Sequence, residues 1–327
     1  MSKIFTEGCY VGFDTSNYTT SVAACDTDGR VIANVKMPLT VKSGARGLRQ
    51  SDAVFLHVKN LESIFEAFND KIKGMERIAV AASSRPRDVE SSYMPCFLVG
   101  DAMSRSFASA SSIPKYSFSH QDGHIMAALY SAMNGDEERM EQLLSKGFAA
   151  FHVSGGTTEL LHVSPREDGF SARMIGGTTD LNAGQAIDRT GVAMGIKFPC
   201  GPEMERLADI NERPLPPRKI SVKGLECCLS GLENLSLNLY RKTEDAAYVS
   251  AFVFEYVAEV LGKMTENLRN DHPDIPIVYA GGVMSNKRIQ SRLAERENIY
   301  FSAPEFSADN AAGIALLCKR RHTQKNQ

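Results

Sequence analysis

Two histidines four positions apart, His120 and His124, stand in the stretch "SFSHQDGHIMAALYSA" at 117–132. On a helix, residues i and i+4 share a face, so both imidazoles would point the same way. Such a pair suits Zn²⁺ or Fe²⁺, given a third ligand from elsewhere and an open coordination position. It is not a peptidase helix of the H-E-x-x-H kind: position 121 is Gln, and Asp122 lies one residue off the general base's place. Two glycine turns are the other chemical candidates. "VSGGTT" at 153–158 leaves a strand, and "AGGVMSN" at 280–286 comes after one. Backbone N–H groups of such turns can face an anion, and a helix start can receive phosphate. An ordinary hairpin turn and a close strand–helix junction account for them equally well. Neither matches the P-loop or the G-x-G-x-x-G fingerprint. Among the acids, Asp14 ends an apolar strand, Asp180 and Asp188 flank "LNAGQAI", and Asp309 precedes an apolar helix, where a simple N-cap is the plain reading.

The elements that must hold these residues alternate between strand and helix. "CYVGFDTS", "SVAACDT" and "VIANVKM" read as strands, with "NYTT" and "DGR" as turns. Apolar residues then recur at helical spacing: Val54, Leu56, Val58, Leu61, Ile64, Phe65 and Phe68. "RIAVAAS" reads as a buried strand and "CFLVGDAMSRSFASA" as a helix. Polar "NGDEERMEQLLSKG" is the best lobe boundary, and a second strand–turn–strand, "FAAFHVS"–"GGTT"–"ELLHVS", comes after it. The echo suggests a duplicated α/β architecture. Helices are expected in "DLNAGQAIDRTGVAMGI" and "AAYVSAFVFEYVAEVLGKMTENL", and a strand, glycine turn and helix in "IPIVYAGGVMSNKRIQSRL". A strand, loop and helix close the chain, with "RHTQKNQ" expected to fray.

Bulk properties narrow the field. The chain has 327 residues, 43% hydrophobic and 23% charged, with a net charge of -2, so no global basic field recruits nucleic acid. The start reaches charge too early for a secretory signal, and no apolar run approaches the roughly 18 residues of a membrane span. Seven scattered cysteines without a C-x-x-C pair fit reduced thiols in the cytoplasm.

The stretches "SHQDGHIMAAL", "VSGGTTEL", "AGQAIDRT", "FPCGP", "LSGLEN", "AGGVMSNKRI" and "PEFSADNAAGIA" occur in one order over nearly the whole chain. In that order the chain closely resembles the TsaD-type tRNA N6-adenosine threonylcarbamoyltransferases. The resemblance implies a two-lobed actin-like/sugar-kinase (ASKHA) α/β fold, with duplicated RNase H-like subdomains and a nucleotide in the cleft between lobes. Residues 1–142 would form the N-terminal lobe, completed by the helix 308–327, and residues 143–307 the C-terminal lobe. It also implies that His120, His124 and Asp309 hold one divalent metal, Fe or Zn. Substrate or nucleotide contacts would come from His152, Val153, Ser154, Gly155 and Gly156, from Asp188 and Gly201, and from Gly281, Gly282 and Asn286. The ligand would be ATP or a carbamoyl-adenylate, the acceptor a tRNA adenosine, and small related proteins would be partners.

The departures cluster on the catalytic face. Where the family reads E-T-S-C-D-E-T, this chain reads "DTSNYTT", so an acidic pair becomes Tyr18 and Thr19, neither a base near neutral pH. Thr157 replaces a histidine of the S-G-G-H-T loop, and Gln185 a glutamate expected at ribose. "SSRPRDVESSYMP" stands where the family has a P-G-L loop. The resemblance therefore suits a divergent paralogue. The first reading is a metal-dependent transferase moving a (threonyl)carbamoyl group from an adenylate to tRNA N6. A catalytically altered nucleotide-binding or scaffold protein is the alternative, and an ATPase or kinase ranks third. Cys200, Cys227 and Cys228 read as packing residues, and His57 as a residue of a lobe or partner surface. Arg85 and Arg87 are solvated or grip an anion, and "CKRR" is a basic helix end or a nucleic-acid patch.

Overall fold

A computed structural model describes residues 7–16, 18–40, 48–89, 91–167 and 169–326. The first unit comprises residues up to Glu141, the segment Arg166–Ser171 and residues from Glu305 onward. Apolar runs with β-branched and small residues make β1 (Gly8–Ser16), β2 (Thr19–Asp26) and β3 (Val31–Pro38). Asn17, in the sequence-predicted "NYTT" turn, lies outside the described residues. The amphipathic stretch forms α1 (Gln50–Lys71), and β4 (Glu76–Arg85), α2 (Phe97–Ser111), β5 (Lys115–Ser119) and α3 (His120–Ala132) come after it. The strand order is β3-β2-β1-β4-β5. β1 pairs antiparallel with β2 and parallel with β4, and β5 is parallel to β4. Val11, Phe13, Val22, Val80, Ile64 and Phe68 fill the core between this sheet and the helices on one face.

The polar stretch expected as the lobe boundary forms a helix, α4 (Glu137–Lys146), and the two units divide within it. Its many charges hid it from an apolar reading, but it is anchored by Met140 and Leu144, both buried. The second unit contains β6 (Phe148–Val153), β7 (Thr158–Arg166) and β8 (Gly169–Thr178), apart from the few residues at the β7–β8 turn that belong to the first. It continues with α5 (Ala183–Ala193), α6 (Gly201–Asp209), β9 (Ser221–Lys223), β10 (Glu226–Cys228), α7 (Ser230–Thr243), α8 (Ala246–Asp271) and β11 (Ile277–Ala280). After a 3-10 turn at Gly282–Ser285 come α9 (Lys287–Leu293) and β12 (Ile299–Phe301). Its strand order is β12-β11-β6-β7-β8-β10-β9. Read from β8 to β12, this repeats the order of the first sheet: β6 is antiparallel to β7 and parallel to β11, which is parallel to β12. The added pair β9–β10 extends the far edge. Phe151, Tyr279 and Phe301 stack across three neighbouring strands, with centroids 4.7 and 5.6 Å apart. The nearly all-round apolar α8 runs through this core.

The chain then returns to the first unit through α10 (Pro304–Ser307) and α11 (Ala312–Lys325). The tail expected to fray is helical as far as Lys325. Its basic end is tied down: Lys319 pairs with Glu137, and Arg320 donates to both oxygens of Glu141 at 2.7 and 3.0 Å. That spends two of the three "CKRR" charges on α4, while Arg321 lies over the Phe118 ring, 5.8 Å from its centroid. All seven cysteines are free thiols. Among the described residues no helix is long and apolar enough to cross a membrane.

Candidate functional site

The histidine pair begins α3, and the helix start is fixed by sequence. Ser119 Oγ accepts from the Asp122 N–H at 3.1 Å, and Asp122 Oδ2 accepts from the Ser119 N–H at 3.1 Å. This reciprocal capping box gives Asp122 a structural task and sets the phase of the helix. His120 and His124 then share one face, their Nε2 atoms 2.9 Å apart.

Asp309 reaches that face because two helices cross at glycine. A Cβ on Gly313 of α11 would lie 1.9 Å from the Gly123 carbonyl oxygen of α3, and one on Gly123 would lie 2.9 Å from Ile314 Cδ1. Gly12 of β1 likewise admits α11, since a Cβ there would lie 2.4 Å from the Ala315 nitrogen. Asn310 ties the preceding loop by accepting from the Ala312 N–H at 3.0 Å and donating to the Ala308 carbonyl at 2.7 Å. Asn310, not Asp309, therefore serves the helix start. Asp309 Oδ1 lies 3.3 Å from His124 Nε2 and 3.6 Å from His120 Nε2. A metal with bonds of about 2.0–2.2 Å would separate its ligand atoms by roughly 3–3.5 Å, so this donor set fits a small divalent ion.

Beneath the cluster, Asp14 at the end of β1 is fully buried. Its Oδ1 receives His120 Nδ1 at 2.9 Å and the Ser83 hydroxyl, while its Oδ2 has no hydrogen-bond partner among the described residues. Burial disfavours a charged His120, but the Asp14 and Asp309 carboxylates outweigh it and push the pKa up to about 10. Burial likewise opposes ionisation of Asp309, yet the two imidazoles hold its carboxyl well below the usual range. A cation held by this cluster would displace that proton.

In the second unit, the β6–β7 turn places Ser154, Gly155 and Gly156 beside the start of α5. The Gly184 N–H donates to the Ser154 carbonyl at 3.2 Å, and a Cβ on Gly184 would lie 2.6 Å from Gly155 Cα. A Cβ on Gly155 or Gly156 would meet nothing within 4 Å, so one face of this turn is open. Gly281, at φ +102, presses against Val153, where a Cβ would lie 2.2 Å from the carbonyl oxygen; Gly282 faces open space. This turn leads into the 3-10 segment, and α9 starts only after Asn286, whose Oδ1 caps it through the Ile289 N–H at 3.0 Å. Asn286 is buried, and its Nδ2 lacks a partner among the described residues. His152, on β6, is paired in register with Glu159 and Ala280.

A cleft of about 630 Å³ is lined by Gly155, Gln185, Asp188, Arg189, Phe198 and Glu233, among others. That volume suits a small organic ligand. Asp188 Oδ1 accepts the Cys200 N–H at 2.8 Å, fixing the loop that leads into Gly201, the first residue of α6. Gln185 turns its Oε1 toward the Asn182 N–H at 3.3 Å in the capping box of α5. Phe198 is an exposed aromatic, and Arg189 pairs with Glu233 at 3.2 Å on the lining. Sequence reasoning passed over Phe198 and Glu233; an aromatic before Pro in "FPCGP" was the available signal. Gly281, Gly282 and Asn286 do not line this cleft, whereas Gly155 and Asp188 do.

Other candidates receive structural assignments. Tyr18 accepts the Leu39 N–H on its carbonyl at 2.8 Å, and Thr19 pairs with Ser16 in the hairpin. His57, expected at a surface, is fully buried, and its Nδ1 meets the Thr20 hydroxyl at 2.8 Å. Burial lowers its pKa and keeps it neutral. Arg85 pairs with Asp88, which also holds Arg166 at 3.2 Å. Burial pushes up the Cys200 thiol, with Asp188 adding to it, which removes a reactive role.

With this geometry in place, known proteins give a consistent picture. The model of the family described as "TsaD: tRNA N6-adenosine threonylcarbamoyltransferase" matches residues 57–316. A protein of that name from Thermus thermophilus is 30% identical, over 95% of this chain and 92% of its own length. One from Streptococcus sanguinis is 31% identical, over 97% and 93%. Among solved structures, full-length HypF in a phosphate- and nucleotide-bound form gives a TM-score of 0.56 at 12% identity, covering 97% of this chain and 56% of that one. A ROK family glucokinase from Streptomyces griseus gives 0.50 at 11%, covering 98% and 100%. At such identities the structures show the fold alone, and that fold is the actin-like/sugar-kinase one. Family model, full-length relatives and fold agree: the chain belongs to the TsaD family of tRNA N6-adenosine threonylcarbamoyltransferases.

Proposed function

We propose that this protein is a metal-dependent transferase that moves a threonylcarbamoyl-type group from a carbamoyl-adenylate to N6 of a tRNA adenosine. The observation that carries this reading is the cluster of His120, His124 and Asp309, whose ligand atoms all lie within 4.8 Å of one another. Fe or Zn is the ion that imidazole and carboxylate donors favour. When bound, such an ion supplies a Lewis acid and a template for phosphate or carbamoyl oxygens. In the second unit, the turn at Gly155 and Gly156 lets a ligand approach the backbone closely; the Gly156 N–H, donated to Ser154 Oγ at 3.3 Å, would have to exchange that partner to meet developing negative charge. The cleft beside it, with Phe198 and Asp188, is assigned to the adenine nucleotide. Val153, Ser154, Gly201, Gly281, Gly282, Asn286 and His152 remain proposed contacts on the strength of motif position. The family's tRNA chemistry makes the cytoplasm the expected place of action, with small related proteins as partners.

A second reading rests on Tyr18 and Thr19, which replace the family's acidic pair and supply no carboxylate. On that reading the protein binds nucleotide as an altered paralogue or scaffold and transfers poorly. Both readings are tested together. Metal content and adenine-nucleotide binding are measured on the purified wild type and on His124→Ala, which leaves the Asp14 contact of His120 intact. Loss of metal with retained fold in the variant supports the site; a wild type that binds neither Fe, Zn nor nucleotide overturns the enzyme reading. Full restoration of the tRNA modification in cells depleted of the ordinary enzyme would refute the altered-paralogue reading.

A further inference from the structure

We propose that Asp14 is a positioning residue that sets which nitrogen of His120 is available to a metal, and that Ser83 holds Asp14 for that task. The inference rests on the metal reading above. An ionised carboxylate can only accept hydrogen bonds, so the 2.9 Å contact with Asp14 Oδ1 requires His120 Nδ1 to carry the proton. The lone pair of Nε2 is thereby directed to the side shared with His124 Nε2 and Asp309 Oδ1. A carboxylate–histidine arrangement of this kind fixes the ring and raises the basicity of the ligating nitrogen.

Asp14 is built to hold still. It sits inside the sheet, between β2 and β4, and is fully buried. The Ser83 hydroxyl of β4 donates to the same Oδ1, and the Ser21 hydroxyl of β2 donates to the Asp14 carbonyl at 3.1 Å. On the other side, the Phe97 ring packs against the His120 ring with centroids 5.8 Å apart, which restricts rotation about the helix face.

The test uses the full chain loaded with Zn²⁺ and compares wild type, Asp14→Asn, Ser83→Ala and His124→Ala. Zinc affinity is read by competition with a chelator across a pH series and compared after the proton that His120 gives up on loading has been fitted out, and folding is read by circular dichroism. So compared, Asp14→Asn is expected to bind zinc 10–100-fold more weakly while folded, on the order typical of such outer partners. Ser83→Ala should show a smaller loss, and His124→Ala should lose tight binding. In the loaded wild type, ¹⁵N-correlated NMR should show a proton on His120 Nδ1 that exchanges slowly, and Asp14→Asn should speed that exchange. The NMR readout on the wild type stands even if Asp14→Asn fails to fold. Unchanged zinc affinity in Asp14→Asn, or a loaded wild type with no proton on His120 Nδ1, overturns the positioning role while leaving the metal site intact. A wild type that binds zinc no better than His124→Ala removes the metal reading and this proposal together.

Discussion

At His120, two carboxylates and burial pull in opposite directions, and the carboxylates win. The folded pKa of about 10 stands above the unfolded value of about 6.5. Its contribution to stability is therefore complete below pH ~6.5 and is lost as pH rises through the folded pKa. Metal-free protein should lose thermal stability progressively from neutral pH toward pH 10, and zinc-loaded protein should be largely spared. Because loading displaces that proton, zinc affinity should rise about tenfold per pH unit across the same window, read by chelator competition. A flat affinity profile would show that His120 is already neutral. The same pairing makes His120→Ala costlier than His124→Ala. Removing His120 leaves Asp14 a buried carboxylate with only the Ser83 hydroxyl, and breaking a buried ion pair costs about 3–5 kcal/mol. Urea denaturation of the two variants should separate them in that order.

Two contacts between elements decide whether the residues meet at all. The crossing of α3 and α11 has no room for a side chain at Gly313. Gly313→Ala should push the helices apart, cost roughly 1–3 kcal/mol, and weaken metal binding because Asp309 moves with α11. Retained zinc affinity in that variant would show that the Asp309 loop adjusts independently. In the second unit, Asp180 accepts from the Leu229 N–H at 2.7 Å, the Ser230 N–H at 3.2 Å and the Ser230 hydroxyl at 2.6 Å. It supplies from a distant loop the cap that α7 lacks on its own N-cap residue, Leu229. Although burial opposes ionisation, the Ser230 hydroxyl and neighbouring N–H groups bring its pKa down to about 2. The stability it adds is present above pH ~3.9 and lost as pH falls through the folded pKa. Asp180→Ala should therefore cost about 1 kcal/mol at pH 7, with the gap to wild type closing near pH 2.

For the molecule as a whole, the chain's last segment belongs with its first strands. α11 packs on β1 through Gly12, its Ala315 carbonyl accepts the Cys25 thiol at 3.4 Å, and its Lys319 reaches Glu137. Removing residues from 305 onward takes away Asp309 and uncovers one face of the first sheet. The truncated chain should expose apolar surface to a reporter dye and become protease-sensitive within residues 8–141, while the second unit, with its own core around α8, resists longer. Cleavage spread evenly over both units would contradict this division.

Much of the architecture was legible from local pattern. The helical spacing of α1, the buried strands β1 and β4, and the i,i+4 histidines of α3 all arise from periodicities the backbone imposes on neighbouring residues. The repeated strand–turn–strand announced the duplicated sheets, and the order of short motifs announced the family. α4 and α6 escaped because charge and a Pro/Gly turn masked their few buried anchors, Met140, Leu144 and Met204. The sequence by itself determined which residues have ligand chemistry and which helix carries two of them. The family's motif order already implied Asp309 as their third partner; only tertiary structure decided how it reaches them, that Asp14 stands behind His120, and that His57 is buried. Periodicity is local, whereas contacts between residues far apart in the chain depend on how closely two backbones approach. Here that approach is set by glycines at 12, 123 and 313, whose missing side chains leave no trace in an apolar pattern.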